Sequence, residues 1–142
     1  MATLSITAAS VTAAVNGVAK SNVQWGEVVT AGQPVYQKAA DNLFYKMQAD
    51  GTAAEAGVGV TFGVALSGGS ANQWGVVATS GPVTIGATVV VGVHYYVHAT
   101  AGLIGLFSDL ASGNYITDLG YATTTAIITL NGSTGATGLT LA

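Results

Sequence analysis

The chain has 142 residues, enough for one domain that buries about two-thirds of its unfolded surface. Only 6% of it is Asp, Glu, Lys or Arg, against about 25% in an average soluble protein, and the formal charge is −3. Three Lys and no Arg cannot neutralise a row of phosphates or an anionic lipid surface, no Cys means no disulfide or thiolate chemistry, and 50% hydrophobic residues exclude disorder.

From the N-terminus, Met1-Ala2-Thr3-Leu4-Ser5-Ile6-Thr7 has no basic residue before Lys20, so no secretory or transit segment is expected. Thr3 to Thr7 alternates polar and apolar residues, as a half-buried strand does. Residues 1–20 are expected to form an N-terminal strand or arm, with Leu4 and Ile6 as its apolar contacts, and residues 21–142 the main β-domain. Strand-like runs follow at Trp25–Val29, Val35–Gln37 and Leu43–Met47, separated by Gly32 and Asp41-Asn42. Asp50 to Ala56 reads as a single helical turn capped by Asp or Thr, too short to stand alone. Val58–Leu66 and Gln73–Thr79 are further strands, and Ser80-Gly81-Pro82 reads as a turn.

Ala56 to Ser108 contains no Asp, Glu, Lys or Arg. Its most apolar part, Val83 to Phe107, is long enough to cross a bilayer. Four glycines, three threonines and both histidines interrupt it, and no basic cluster flanks it, so it reads as several short strands. Val89–Ala99, Leu103–Phe107, Tyr115–Ala122 and Ala126–Leu130 complete the series, and Asn131-Gly132 marks a turn. This regular strand–turn spacing predicts an all-β, single-domain sandwich or barrel with short strands and at most one helical turn.

The chain carries an internal echo. Gly32 to Ala39 resembles Gly92 to Ala99 at an offset of 92 − 32 = 60, and Gly63-Val64-Ala65 resembles Gly120-Tyr121-Ala122 at 120 − 63 = 57. A duplicated β-unit and a chance echo of low-complexity sequence both account for it.

Few residues carry chemistry. His94 and His98 have zinc-helix spacing, but on a strand they stand about 13 Å apart, beyond the reach of one metal ion, so no metal or other cofactor is expected. On that strand Val93, Tyr95 and Val97 face inward, while His94, Tyr96 and His98 face outward. The outward three form a contact strip or an ordinary solvated face. Asp109 and Asp118 flank a turn; a cryptic hydrolase would pair one of them with His94 or His98, but no nucleophile elbow is present. Trp25 and Trp74, each followed by Gly, read as large core or interface fillers.

Several stretches, in this order, resemble a widespread family of small structural proteins of tailed phages, the capsid decoration or cement proteins. They are Gly26–Tyr36, Gln48–Ala56, Gly63–Leu66, Thr79–Gly86, Tyr95–Gly102, Asp109–Thr117 and Leu119–Ala122. The resemblance implies a non-enzymatic virion protein without cofactors, made in the host cytoplasm and mounted on the capsid exterior. Its partners would be the major capsid protein and itself, as a homotrimer or a dimer. The contact residues expected on this reading are His94, Tyr96, His98, Leu4 and Ile6. The alternative is a β-domain of the phage tail or fibre that binds the host.

Overall fold

Runs of Val, Thr and Tyr favour extended backbone, and the glycines and asparagines between them take the left-handed turns that β-branched residues avoid. The computed structural model describes residues 3–142. Met1 and Ala2, the start of the expected arm, lie outside the described residues. The fold is all-β, as the sequence predicts. It contains β1 (Thr12–Ala13), β2 (Val18–Gln24), β3 (Pro34–Gln37), β4 (Phe44–Lys46), β5 (Phe62–Ala65), β6 (Trp74–Thr84), β7 (His94–Val97), β8 (Ile104–Gly105), β9 (Tyr115–Ala122), β10 (Ile127–Leu130) and β11 (Ala136–Thr140). They make one curled antiparallel sheet, a half-barrel.

The strand order is β4-β3-β5-β6-β10-β9-β7-β8, with β1 and β2 lying along β6 and β11 along β9. This order is a palindrome of two four-stranded units, joined where β6 meets β10. The register repeats as well. Pro34 pairs with Val64 and Val35 with Gly63; His94 pairs with Tyr121 and Tyr95 with Gly120. Tyr36 faces Tyr45 across one hairpin, and Tyr96 faces Gly105 across the other. The offsets are 94 − 34 = 60 and 121 − 64 = 57, those of the sequence echo. Turn bonds repeat too: Gly32 N–H donates to Ala65 O and Gly92 N–H to Ala122 O, both at 2.8 Å. Gly32 and Gly92 both adopt positive φ, at 94° and 84°, which a β-carbon resists. The echo is therefore a repeated β-unit.

The core follows from the alternation of side chains. The larger cluster joins both units, with Tyr36, Met47, Phe62 and Val64 from the first and Ile85, Tyr95, Val97, Ile104 and Ile128 from the second. A smaller cluster on the other face of the first unit centres on Trp25, with Val23, Val29, Val35, Phe44, Ala65 and Val77. Trp25 packs edge-on against Phe44, at 6.5 Å between ring centroids. The Gly after each Trp now has a reason: a β-carbon on Gly75 would enter the Trp25 ring, and one on Gly26 the Tyr45 ring. Trp25→Ala should therefore lose about 3–5 kcal/mol of stability in urea unfolding. Trp25→Phe should lose less, because the buried indole Nε1–H has no acceptor among the described residues.

Four local expectations change. Thr3–Thr7 is not a strand. It is an extended segment tied by Leu4 N–H to Ile104 O and Thr7 N–H to Gly86 O, with Leu4 and Ile6 packed on the larger core. The boundary expected at residue 20 falls inside β2, which pairs with β6 through Val18–Lys20 and again through Val23-Gln24. Ser80-Gly81-Pro82 is no turn but a kink inside β6, where one neighbour changes from β5 to β10. β11 was not expected, because its Ala-Thr-Gly-Leu-Thr sequence shows no apolar alternation. Thr52 to Ala56 makes the expected single turn, with Thr52 N–H donating to Glu55 Oε1 and Glu55 N–H to Thr52 Oγ1. Three 3-10 turns, at Ala8–Ser10, Phe107–Asp109 and Gly132–Gly135, are too short to leave a periodic signal. Among the described residues no helix is long and apolar enough to cross a membrane.

Candidate contact surface

β7 alternates as its sequence requires: Tyr95 and Val97 are buried, while His94 is exposed and Tyr96 half-buried. Strand pairing brings further groups to the outward side. His94 faces Tyr121 of β9, with rings 5.5 Å apart, and its Nδ1 lies 2.6 Å from Asp118 Oδ2. The contact is one short hydrogen bond, in which Nδ1–H donates to the carboxylate in the Nδ1–H tautomer. Tyr96 meets Phe107 edge-on at 5.4 Å. Burial first, and the nearby Asp118 carboxylate second, raise the Tyr96 phenol above its ordinary value, so it stays a neutral hydrogen-bond donor at physiological pH. The result is an aromatic surface of His94, Tyr96, Phe107 and Tyr121, with the short His94–Asp118 hydrogen bond beside it.

The two units differ most at this place. Position for position, Pro34, Tyr36 and Val64 of the first unit correspond to His94, Tyr96 and Tyr121 of the second. The first three are buried, Val64 completely. Their counterparts are not: Tyr121 is 39% exposed, and Phe107, which packs on Tyr96, is 45% exposed. In the first unit the chain itself covers this face, with Met47 and Phe62 packed beside Tyr36 and Val64. In the second unit the cover is incomplete: Phe107 packs on Tyr96, yet Phe107 and Tyr121 stay exposed. At the same end Gly92 N–H is bonded to Ala122 O, and the turn before Gly92 presents Val90 and Val91, 62% and 58% exposed. Isolated exposed apolar residues are ordinary, but several on one face mark an interaction surface.

The other expected contact residues sit differently. His98 lies just past β7, and its Nδ1 accepts a hydrogen bond from Thr100 N–H at 3.0 Å. That bond holds the Thr100–Gly102 turn, giving His98 a local structural task. Leu4 and Ile6 face the chain's own core, far less available than an arm would make them. The sequence also missed Phe107 and Tyr121. Pairing Tyr121 with His94 at the echo's offset was the signal available for the second. Phe107 sits on a three-residue turn and left none.

The hydrolase reading gains its His94–Asp118 pair, yet no hydroxyl of the described residues hydrogen-bonds His94. Asp109 instead accepts the Leu106 N–H through Oδ2. No group of three or more His, Asp or Glu among the described residues could hold a metal ion. Comparison with family models finds no match, and comparisons with curated proteins and with solved structures also find none.

Proposed function

We propose that this protein is a structural component of a phage virion, a decoration or cement protein that binds the outside of the head and clamps neighbouring major capsid subunits. The observation that carries this reading is the uncovered aromatic face of the second unit, at positions that the first unit buries. The order of stretches shared with the cement family supports it, as does the lack of charge between Ala56 and Ser108. A clamp must hold through changes in ionic strength. Ion pairs between exposed groups weaken with salt, whereas apolar contact does not. Covering such a face yields about 25 cal/mol per Å² of apolar area before the costs of association, and a stable contact buries about 1,200–2,000 Å² in all. Self-association, as a homotrimer in preference to a dimer, would bring several copies to bear on the shell at once. The protein would meet its shell in the host cytoplasm and stay on the virion exterior.

The test is addition of purified protein to preformed, expanded shells. The reading expects saturable binding, greater resistance of the shells to heat, and affinity that changes less than about threefold between about 0.05 and 0.5 M salt. Binding to host cells without binding to shells would replace it with the tail or fibre reading. Light scattering that gives a monomer at micromolar concentration would remove the trimer.

A further inference from the structure

A second feature lies on the first unit, away from the aromatic face. Trp74 opens β6 opposite Gln24 of β2, and it is 65% exposed, the opposite of the fully buried Trp25. It borders a groove of about 230 Å³ with room for a single sugar ring, floored by Val23 and Phe44. Around the indole the rim is polar. Among the described residues the side chains of Lys20, Asn22 and Asn42 find no hydrogen-bond partner. Gln24 and Gln37 each spend Nε2 on a backbone carbonyl, those of Asn72 and Asn42, and among the described residues no donor reaches either Oε1. The groove therefore presents both donors and acceptors around one aromatic face.

The backbone is also held in an unusual state here. Only four non-glycine residues among those described have positive φ, and all are Asn. Asn22 and Asn42, at 60° and 61°, line the groove, and Asn72, at 69°, adjoins it. Asn takes this backbone readily in turns, so the turns fix where the Asn22 and Asn42 side chains start. A subunit contact would put apolar groups around an exposed Trp. Here the four amides Asn22, Gln24, Gln37 and Asn42 share the rim with Lys20, Asp41 and a single apolar side chain, Leu43. That pattern matches a hexose, whose C–H face is apolar and whose edge is all hydroxyl.

We propose that this groove is a saccharide subsite, in which one neutral hexose ring stacks on Trp74 while its hydroxyls bond Asn22, Asn42 and the free amide oxygens of Gln24 and Gln37. The site does not depend on the virion reading, since a saccharide could be met on a particle or on a tail.

The experiment follows the indole N–H signals of the intact protein by NMR. Methyl β-galactoside, methyl α-glucoside and N-acetylglucosamine are each added to about 50 mM, enough to fill a millimolar site. The Trp74 signal should shift and saturate with at least one of them, while buried Trp25 stays put as the internal control. Trp74→Ala should weaken binding at least about tenfold, read from backbone signals of the groove. Asn42→Gly, which keeps the left-handed backbone, should weaken it severalfold. No shift with any of the three saccharides overturns the proposal. So does binding that survives Trp74→Ala, or a Trp74→Ala variant whose oligomer falls apart while saccharide response is unchanged.

Discussion

Gly63→Ala and Gly120→Ala should each cost the fold about 4 kcal/mol or more, a large share of the stability of a domain this size. The two positions are equivalent in the repeated unit, each on the returning strand of its half. A β-carbon on Gly63 would fall on the carbonyl oxygen of Ala78, and one on Gly120 on that of Thr129. Both obstacles are backbone, so no side chain can swing aside, and relief would require separating the paired strands. Gly92→Ala is the comparison. Its β-carbon would meet nothing within 4 Å, and only its positive φ resists the change, so it should cost about 1–2 kcal/mol. Urea unfolding followed by circular dichroism measures all three. Equal tolerance of alanine at Gly63, Gly120 and Gly92 would contradict the close strand approach in both units.

Tyr96→Asp should have the largest effect on association while sparing the fold. Within the chain Tyr96 is half-buried and its principal partner is Phe107, a contact of about 0.5–1.5 kcal/mol. Its loss leaves the core clusters intact, since Tyr96 belongs to neither. In a covered interface the new carboxylate would be buried without a partner and close to Asp118, whose charge already raises the Tyr96 phenol. An uncompensated charge of this kind costs about 3 kcal/mol or more, or about a hundredfold in affinity. The variant should therefore melt near wild type, yet fail to pellet with shells and sediment as smaller species. Wild-type pelleting and oligomer size would remove this surface from the contact. Phe107→Ser serves as the second variant, with the same direction and a smaller effect, because it deletes area without adding charge.

The sequence was most legible where alternation and turn residues agreed. Tyr115–Ala122 reads with the bounds it has in the sheet, because Gly113-Asn114 marks the turn before it and its residues are mostly β-branched, aromatic or apolar. β3, β4 and β10 were placed within a residue or two for the same reason. The inward and outward sides of β7 also followed, since period-two alternation fixes side-chain direction. Local pattern failed where long-range contact decides. Gly81-Pro82 has turn composition, but β1, β2 and β10 hold it inside β6 as a kink. Leu4 and Ile6 alternate like a strand, yet their backbone bonds go to Ile104 and, through Thr7, to Gly86.

The near absence of charge argues from composition alone against nucleic-acid and anionic-membrane partners, and the β-class came from strand–turn spacing. The echo's offset came from the sequence too, since duplicated segments keep their glycines at turns and close approaches. Only the tertiary structure decided that the echo is two equivalent units in a palindromic sheet, because strand order depends on pairing between distant residues. It alone decided which outward face is bare, since exposure depends on what the rest of the chain covers: Val64 is buried and Tyr121 is not, though they hold the same place in their units. The charge-free stretch is accordingly divided, with Val83, Ile85 and Val97 in the core and Tyr96, Phe107, Val90 and Val91 on the surface.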